Sequence, residues 1–394
     1  MPDRATHVLV SFCNTASGAP PVVLYDVATG AISVPHVPPE VAVRKPSGLA
    51  ESERFLYVMA SRTDGRMAAS VSPPNPSTLF VFDRRSLALV ATNVCELVFD
   101  GHSMLLRETG LDVVSTGTDE VVHLTMRGPH VVSEQVVWRA DPHGRRADVH
   151  HVNAIGTWRG QTLVSGFGRK LGSSWRSTAH GFLQSIDTGA RLVHDIRQPH
   201  SILDVDGALV YCQSATASVH VHGVGVERQL PGYARGLCRV QNAIFAGTSR
   251  GRQVSKSTGL LTNRSDPGAA AGRCTLVRLT PGTLEIEAVV ELDRYGIEIY
   301  DLLPVANVGG WPVLEEREWR DRYISGLFTG FEERDASISW LHTEVSERDA
   351  AIEWLHWEVA ERDRMLVWLH QEVADRAREA EDLRARLAGQ PEQA

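Results

Sequence analysis

The sequence predicts an all-β protein, a six-bladed β-propeller whose N-terminal strands close the last blade, followed by a C-terminal α-helical coiled coil. Three observations carry this. From residue 6 to about 305 the chain is short apolar runs of strand length, punctuated by Gly, Pro, Asn, Asp and Ser and almost without helical periodicity. The runs recur as units, a pair of strands followed by a tight hairpin. Beyond residue 330 the composition changes to a fourteen-residue, two-heptad repeat.

The strand pairs are PSGLAES with FLYVMAS, GHSMLL with LDVVSTG, HHVNAIG with TLVSGFG, PHSILDV with ALVYCQS, and ARGLCRV with AIFAGTS. Outer hairpins read directly from VVLYDVATGAIS, LFVFDRRSLALV, FLQSIDTGARLV and LVRLTPGTLEIEAVV, each turning through Asp or Thr and a Gly-containing or polar loop. GIEIYDLLPV, residues 296–305, is a sixth inner strand with no partner after it, while THVLVSFCN and its hairpin have no inner strand before them. Joining the two ends closes the ring and removes exposed sheet edges. The expected boundaries are a propeller over 1–310, a helical linker over 311–330, a coiled coil over 331–388 and a disordered tail over 389–394.

Aligned on their apolar anchors, the inner strands place Ser47, His102, Asn153, His200, Arg235 and Tyr300 at one position and Lys45, Asp100, His151, Gln198, Tyr233 and Glu298 two residues earlier. Alternate strand residues share a face, so both sets are expected to line the central channel as two stacked rings. Asp100, His102, His151, His200 and Glu298 are oxygen and imidazole donors suited to one divalent metal ion, with His102, His151 or His200 free as a general base. Water-filled channels lined by polar groups are the plainer alternative. Arg235 suits a carboxylate or phosphate, with Asn153, Lys45, Tyr233 and Tyr300 as further ligand contacts. Long loops between second and third strands carry Arg62, Arg66, Arg169, Lys170, Arg176, Arg250, Arg252 and Lys256, a basic rim that would steer an anion to the mouth.

Other classes are disfavoured. A formal net charge of -8 over 394 residues argues against a nucleic-acid partner. Nucleotide cofactors are not expected, since no phosphate-binding loop or dinucleotide GxGxxG followed by an acidic residue is present, and GxSxG and HExxH are missing too. No run approaches the length of a membrane span, and MPDRATHVLVSF lacks a signal-peptide core. Five cysteines without CxxC spacing fit a reduced compartment, so the cytoplasm is expected.

In the tail, position a holds Phe331, Ile338, Val345, Ile352, Val359, Leu366, Val373, Ala380 and Leu387. Position d alternates leucine with Arg334, Arg348, Arg362 and Arg376, an arginine-interrupted seam that predicts a parallel homo-oligomer through 331–388. Each arginine is expected either to snorkel or to meet a carboxylate such as Glu344, Glu358 or Glu372 at g. The repeated WLH marks a regular lateral surface, which duplication of one unit would also produce.

The motifs HHVNAIG, QPHSILD, LPGYARGLCRVQNAIFAGTSRGR and GIEIYDLLPV together resemble the DUF4915 family of bacterial proteins, also called TIGR03032, over roughly residues 40–310. The resemblance implies a propeller-like domain and brings no activity. It matches His151 with Asn153, Pro199 to Ser201, and Arg235 to Leu237. The ERD repeats resemble tails on bacterial glycosyltransferases and methyltransferases of surface-polysaccharide clusters, which implies partners of those kinds.

Three functions remain: a metal-assisted lyase, hydrolase or isomerase acting on a small anionic, sugar-derived or secondary-metabolite substrate; a non-catalytic binder of such a ligand; or a scaffold that recruits partners through its tail.

Overall fold

A computed structural model of the chain describes residues 5–13, 19–37, 43, 45–60, 76–144, 146–170, 175, 178, 180–250 and 272–388. Six sheets form around one axis. Blade one is β4 (Pro46–Glu51), β5 (Phe55–Ala60), β6 (Pro76–Asp83) and β7 (Leu89–Phe99). Blade two is β8 (Gly101–Leu106), β9 (Gly110–Ser115), β10 (Glu120–Arg127) and β11 (His130–Arg139). Blade three is β12 (Val152–Trp158), β13 (Gln161–Gly166), β14 (Gly181–Ser185) and β15 (Arg191–Ile196). Blade four is β16 (Pro199–Val205), β17 (Ala208–Gln213), β18 (Ser218–Val221) and β19 (Val226–Gln229). Blade five is β20 (Tyr233–Val240), β21 (Ala243–Ser249), β22 (Thr275–Leu279) and β23 (Ile286–Glu291).

The sixth blade joins the two ends of the domain. β24 (Ile299–Val305) pairs antiparallel with β1 (His7–Phe12), followed outward by β2 (Val22–Asp26), β3 (Ile32–Pro35) and β25 (Val313–Leu314). Leu9 sits opposite Leu303 and His7 opposite Val305, so closure is a continuous hydrogen-bonded ladder. The two-residue β25 covers the outer edge of β3, in a stretch expected to be helical.

Burial explains why a strand such as β1, HVLVSF, is almost continuously apolar rather than alternating. Each blade is sandwiched between two others, so both faces of its strands lie in a core. Among the described residues the core divides into six clusters, one per blade interface. Val8, Val10 and Phe12 face blade five, while Leu9 faces blade one.

Polar stitches join the blades nearer the axis. Ser11 donates to the Ser47 carbonyl at 3.1 Å, Ser47 to Gly101 at 2.5 Å and Thr116 to Val152 at 2.6 Å. Ser214 donates to the Ala234 carbonyl at 2.5 Å and Ser249 to that of Ile299 at 3.1 Å, while Ser165, whose proton goes to Asn153 Oδ1, lies 3.5 Å from the Pro199 carbonyl. Each contact crosses from one blade to the inner strand of the next, and together they run around the whole ring.

The chain divides into two compact units, 1–327 and 328–394. Helix α1 (Glu316–Ala388) starts in the first, where Trp319 packs on Tyr295 with ring centroids 5.2 Å apart. At 73 residues, about 1.5 Å each, it is on the order of 110 Å long. The arginines expected at d fold back onto g carboxylates of their own helix: Arg348 on Glu344, Arg362 on Glu358 and Arg376 on Glu372. Ile338, Val345, Ile352, Leu366 and Leu369 are exposed; the side chains of Phe331, Arg334 and Leu387 lie outside the described residues. No helix among the described residues is long and apolar enough to cross a membrane.

Candidate ligand site at the channel mouth

The inner strands carry a shared irregularity where they enter the channel. In all six first-to-second strand pairs the register shifts, at Pro46/Leu49, Gly101/Met104, Val152/Ala154, His200/Ile202, Arg235/Leu237 and, against β24, Val10/Phe12. A bulge turns a side chain away from the plain alternation of a strand. Just before it, Lys45, Asp100, His151 and Gln198 all adopt positive φ, between 49° and 52°. This left-handed conformation is costly for residues with a Cβ and is held here by the surrounding fold. Gly236, at φ 71°, fills the bulge after Arg235, where a Cβ would lie 2.9 Å from Leu302.

The bulges change the expected layout: the two sets of channel residues interleave in one circuit. Tyr300 meets His102 edge to face at 4.9 Å, and His102 meets His151 at 5.7 Å. His151 packs against Phe167 at 4.5 Å, Phe167 against His200 at 5.2 Å and His200 against Tyr233 at 5.6 Å. Arg235 closes the circuit, its guanidinium 5.0 Å from the Tyr233 ring centre and 5.2 Å from that of Tyr300. Stacked cation and ring faces are mutually attractive, more so when desolvated.

Second-layer contacts hold these groups. Arg235 Nη1 donates to Glu298 Oε1 at 2.7 Å, an ion pair with side chains only 8% and 6% exposed. Tyr233 donates to Gln198, whose amide donates to the Trp175 carbonyl. The Trp175 ring centre lies 4.6 Å from that of His151, and the Lys170 ammonium sits over the Trp175 ring, 4.2 Å from its centre. Asp148 accepts from His151 Nδ1, and Asp119 fixes the approach to β12 by accepting from the amides of Val149, His150 and Val152.

Three buried polar atoms of the circuit have no hydrogen-bond partner among the described residues: His200 Nε2, Arg235 Nε and the Tyr300 hydroxyl. Burial holds the His102 imidazole down at about 4, opposed by Asp100 and reinforced by His151 and Arg235. His200 is held well below its ordinary value, first by burial and then by Arg235. Both rings are therefore neutral at neutral pH. Next to Tyr300 in sequence, Asp301 is pushed up to about 7 by burial, although the Leu49 and Leu302 amides hydrogen-bond its carboxyl.

His102, His151, His200, Arg235, Tyr233, Tyr300 and Glu298 thus come together. Ser47 turns into an interblade stitch, and Asn153 is held between Ser165 and the His151 carbonyl. Lys45 is half-buried at the same entrance. Asp100 is about half-exposed, 3.9 Å from His102 Nδ1. Arg169 is exposed, and Arg250 is paired with Asp293 at 2.9 Å, so both stand outside the circuit. Arg62, Arg66, Arg176, Arg252 and Lys256 lie outside the described residues. Glu298 is engaged by Arg235, and among the described residues no group of three or more His, Cys, Asp or Glu side chains gathers in metal-ligating geometry.

Sequence reasoning missed Phe167, Trp175 and Ser214. The signal for Ser214 was available: Ser11, Ser165, Ser214 and Ser249 recur at the ends of second strands. Phe167 and Trp175 belong to a second-to-third strand loop of blade three and have no counterpart in the repeat.

Six blades closed by a shared last sheet, with aromatic, imidazole and guanidinium groups converging at one channel mouth, define a β-propeller with an axial site. The chain belongs to the DUF4915 family, described as a domain of unknown function, whose profile matches residues 44–310. No curated protein matches it. It is similar to a chain in the crystal structure of the nidogen/laminin complex, with a TM-score of 0.51, 9% identity and coverage of 75% of this chain and 97% of that one. A protein of unknown function from Bacteroides caccae is similar at a TM-score of 0.50, 12% identity and coverage of 76% and 99%. At such identities the likeness is one of fold.

Proposed function

We propose that the channel mouth binds a small anionic, sugar-derived ligand, with Arg235 as the cationic contact and Tyr233, Tyr300 and Trp175 as faces for its carbon skeleton. The observation that carries this reading is the trio of unpartnered buried atoms, His200 Nε2, Arg235 Nε and the Tyr300 hydroxyl, in one contiguous circuit. Leaving a buried polar group unsatisfied costs about 1–3 kcal/mol, which a ligand bearing the complementary groups recovers. Lys170, over the Trp175 ring, adds positive charge beside the circuit.

Titration calorimetry of the full-length protein with sugar acids and sugar phosphates tests this. Saturable binding that is lost in Arg235→Gln is expected; no saturation by any such anion up to millimolar concentration sinks the reading. A second role belongs to α1. Its exposed apolar seam supports parallel self-association, which multiplies ligand sites in one assembly.

A further inference from the structure

The proton positions at the mouth follow from the stitches. Ser214 Oγ lies 2.5 Å from the Ala234 carbonyl, which can only accept, so the serine proton points there. His200 Nδ1 lies 2.6 Å from that same Oγ and 3.2 Å from the Gln198 carbonyl. Ser214 Oγ therefore accepts, and Nδ1 carries the proton of the neutral ring. Its Nε2 is left as a bare lone pair, buried and without a partner. His102 is built alike, with Nδ1 2.7 Å from the Asp100 carbonyl, so its proton also sits on Nδ1. Which nitrogen of a histidine accepts is set by what the other one meets.

The two rings thus present acceptors, whereas Arg235 Nε presents a donor and the Tyr300 hydroxyl serves as either. We propose that His102 and His200 act as hydroxyl-recognising acceptors opposite Arg235, so that the mouth selects hydroxy acids and sugar acids over carboxylates without hydroxyl groups. This deepens the anion-binding reading above and rests on it. Ser214 is the positioning residue: by donating to blade five it is left able only to accept from His200.

Long-range nitrogen–proton NMR of histidine-labelled full-length protein, assigned with His102→Gln and His200→Gln, reads the tautomers directly. Both residues are expected as the Nδ1–H form. Ser214→Ala leaves His200 Nδ1 only the Gln198 carbonyl at 3.2 Å, so a mixture with a minor Nε2–H population is expected, and Ser214→Thr is expected to restore the pure native tautomer. D-Gluconate and hexanoate are the binding probes. One hydroxyl–imidazole hydrogen bond corresponds to about tenfold in affinity, so gluconate is expected to bind at least that much tighter and to shift the Nε2 resonances. Nε2–H at both histidines, equal affinities, or no binding of gluconate each overturns the proposal. If gluconate fails while another anion saturates the Arg235 site, hydroxyl selection alone is lost; if every anion fails, the binding reading falls with it.

Discussion

Arg235 Nη1 and Glu298 Oε1 lie 2.7 Å apart, joining the inner strand of blade five to the residue that leads into the inner strand of blade six. The two residues are 63 positions apart in sequence and both are buried. Removing one partner of such a pair strands a buried charge, at a cost of about 3–5 kcal/mol, whereas removing both costs far less. Glu298→Gln is therefore expected to lower the melting temperature sharply. Arg235→Met with Glu298→Leu is expected to recover most of that loss while eliminating anion binding. Equal melting temperatures for the single and double variants would show that the pair is not energetically coupled.

The closure of blade six makes the N-terminal strand indispensable. β1 lies between β24 and β2, and Val8, Val10 and Phe12 are fully buried. Deleting residues 1–35 uncovers a sheet edge and two interblade cores. Loss of the whole cooperative thermal transition is expected, rather than fraying at one end. Retention of that transition in calorimetry would contradict the closure.

Acid stability reports the two neutral imidazoles. His102 and His200 have folded values below the ordinary 6.5, so between about 4 and 6.5 the unfolded chain binds more protons than the native one. Their contribution is present above 6.5 and is lost as pH falls through this window. Asp301 acts oppositely, because its raised value means that stability is lost as pH rises from 3.8 towards about 7. Melting temperature against pH is expected to rise across the window in the native protein, to rise less in His200→Gln, and to rise more steeply in Asp301→Asn. The groups facing these histidines are Asp100, His151 and Arg235, and none of them is altered in either variant. Parallel curves for all three proteins would refute the assignment.

The helix yields a prediction about assembly. Its d arginines are exposed and satisfied by glutamates one turn earlier, in intrahelical pairs worth about 0.3–0.5 kcal/mol each. Apolar a residues such as Val345, Ile352 and Val359 remain open along the same helix. A parallel dimer or trimer is expected in sedimentation of the full-length protein. Replacing Arg348, Arg362 and Arg376 by leucine is expected to raise the stability of the assembly and broaden its stoichiometry. A monomer at every accessible concentration would defeat self-association.

The sequence by itself determined the ring. Strand length, turn residues and apolar runs are local properties, so the inner strands, the outer hairpins and the complementary ends were legible, as was the gathering of His102, His151, His200 and Arg235. Tertiary structure decided how those residues act. The bulges and left-handed residues merge two expected rings into one circuit, because backbone conformation at each entrance answers to the neighbouring blade rather than to the strand's own alternation. Glu298 was expected among the metal-ligating oxygens, and Arg235 reaches it from the preceding blade. Phe167 and Trp175 enter from a loop with no repeat counterpart. The protons of His102 and His200 are placed by oxygen atoms of Asp100, Gln198 and Ser214. Ser214 is in turn oriented by a carbonyl of the following blade, a dependence that exists only once the blades have packed.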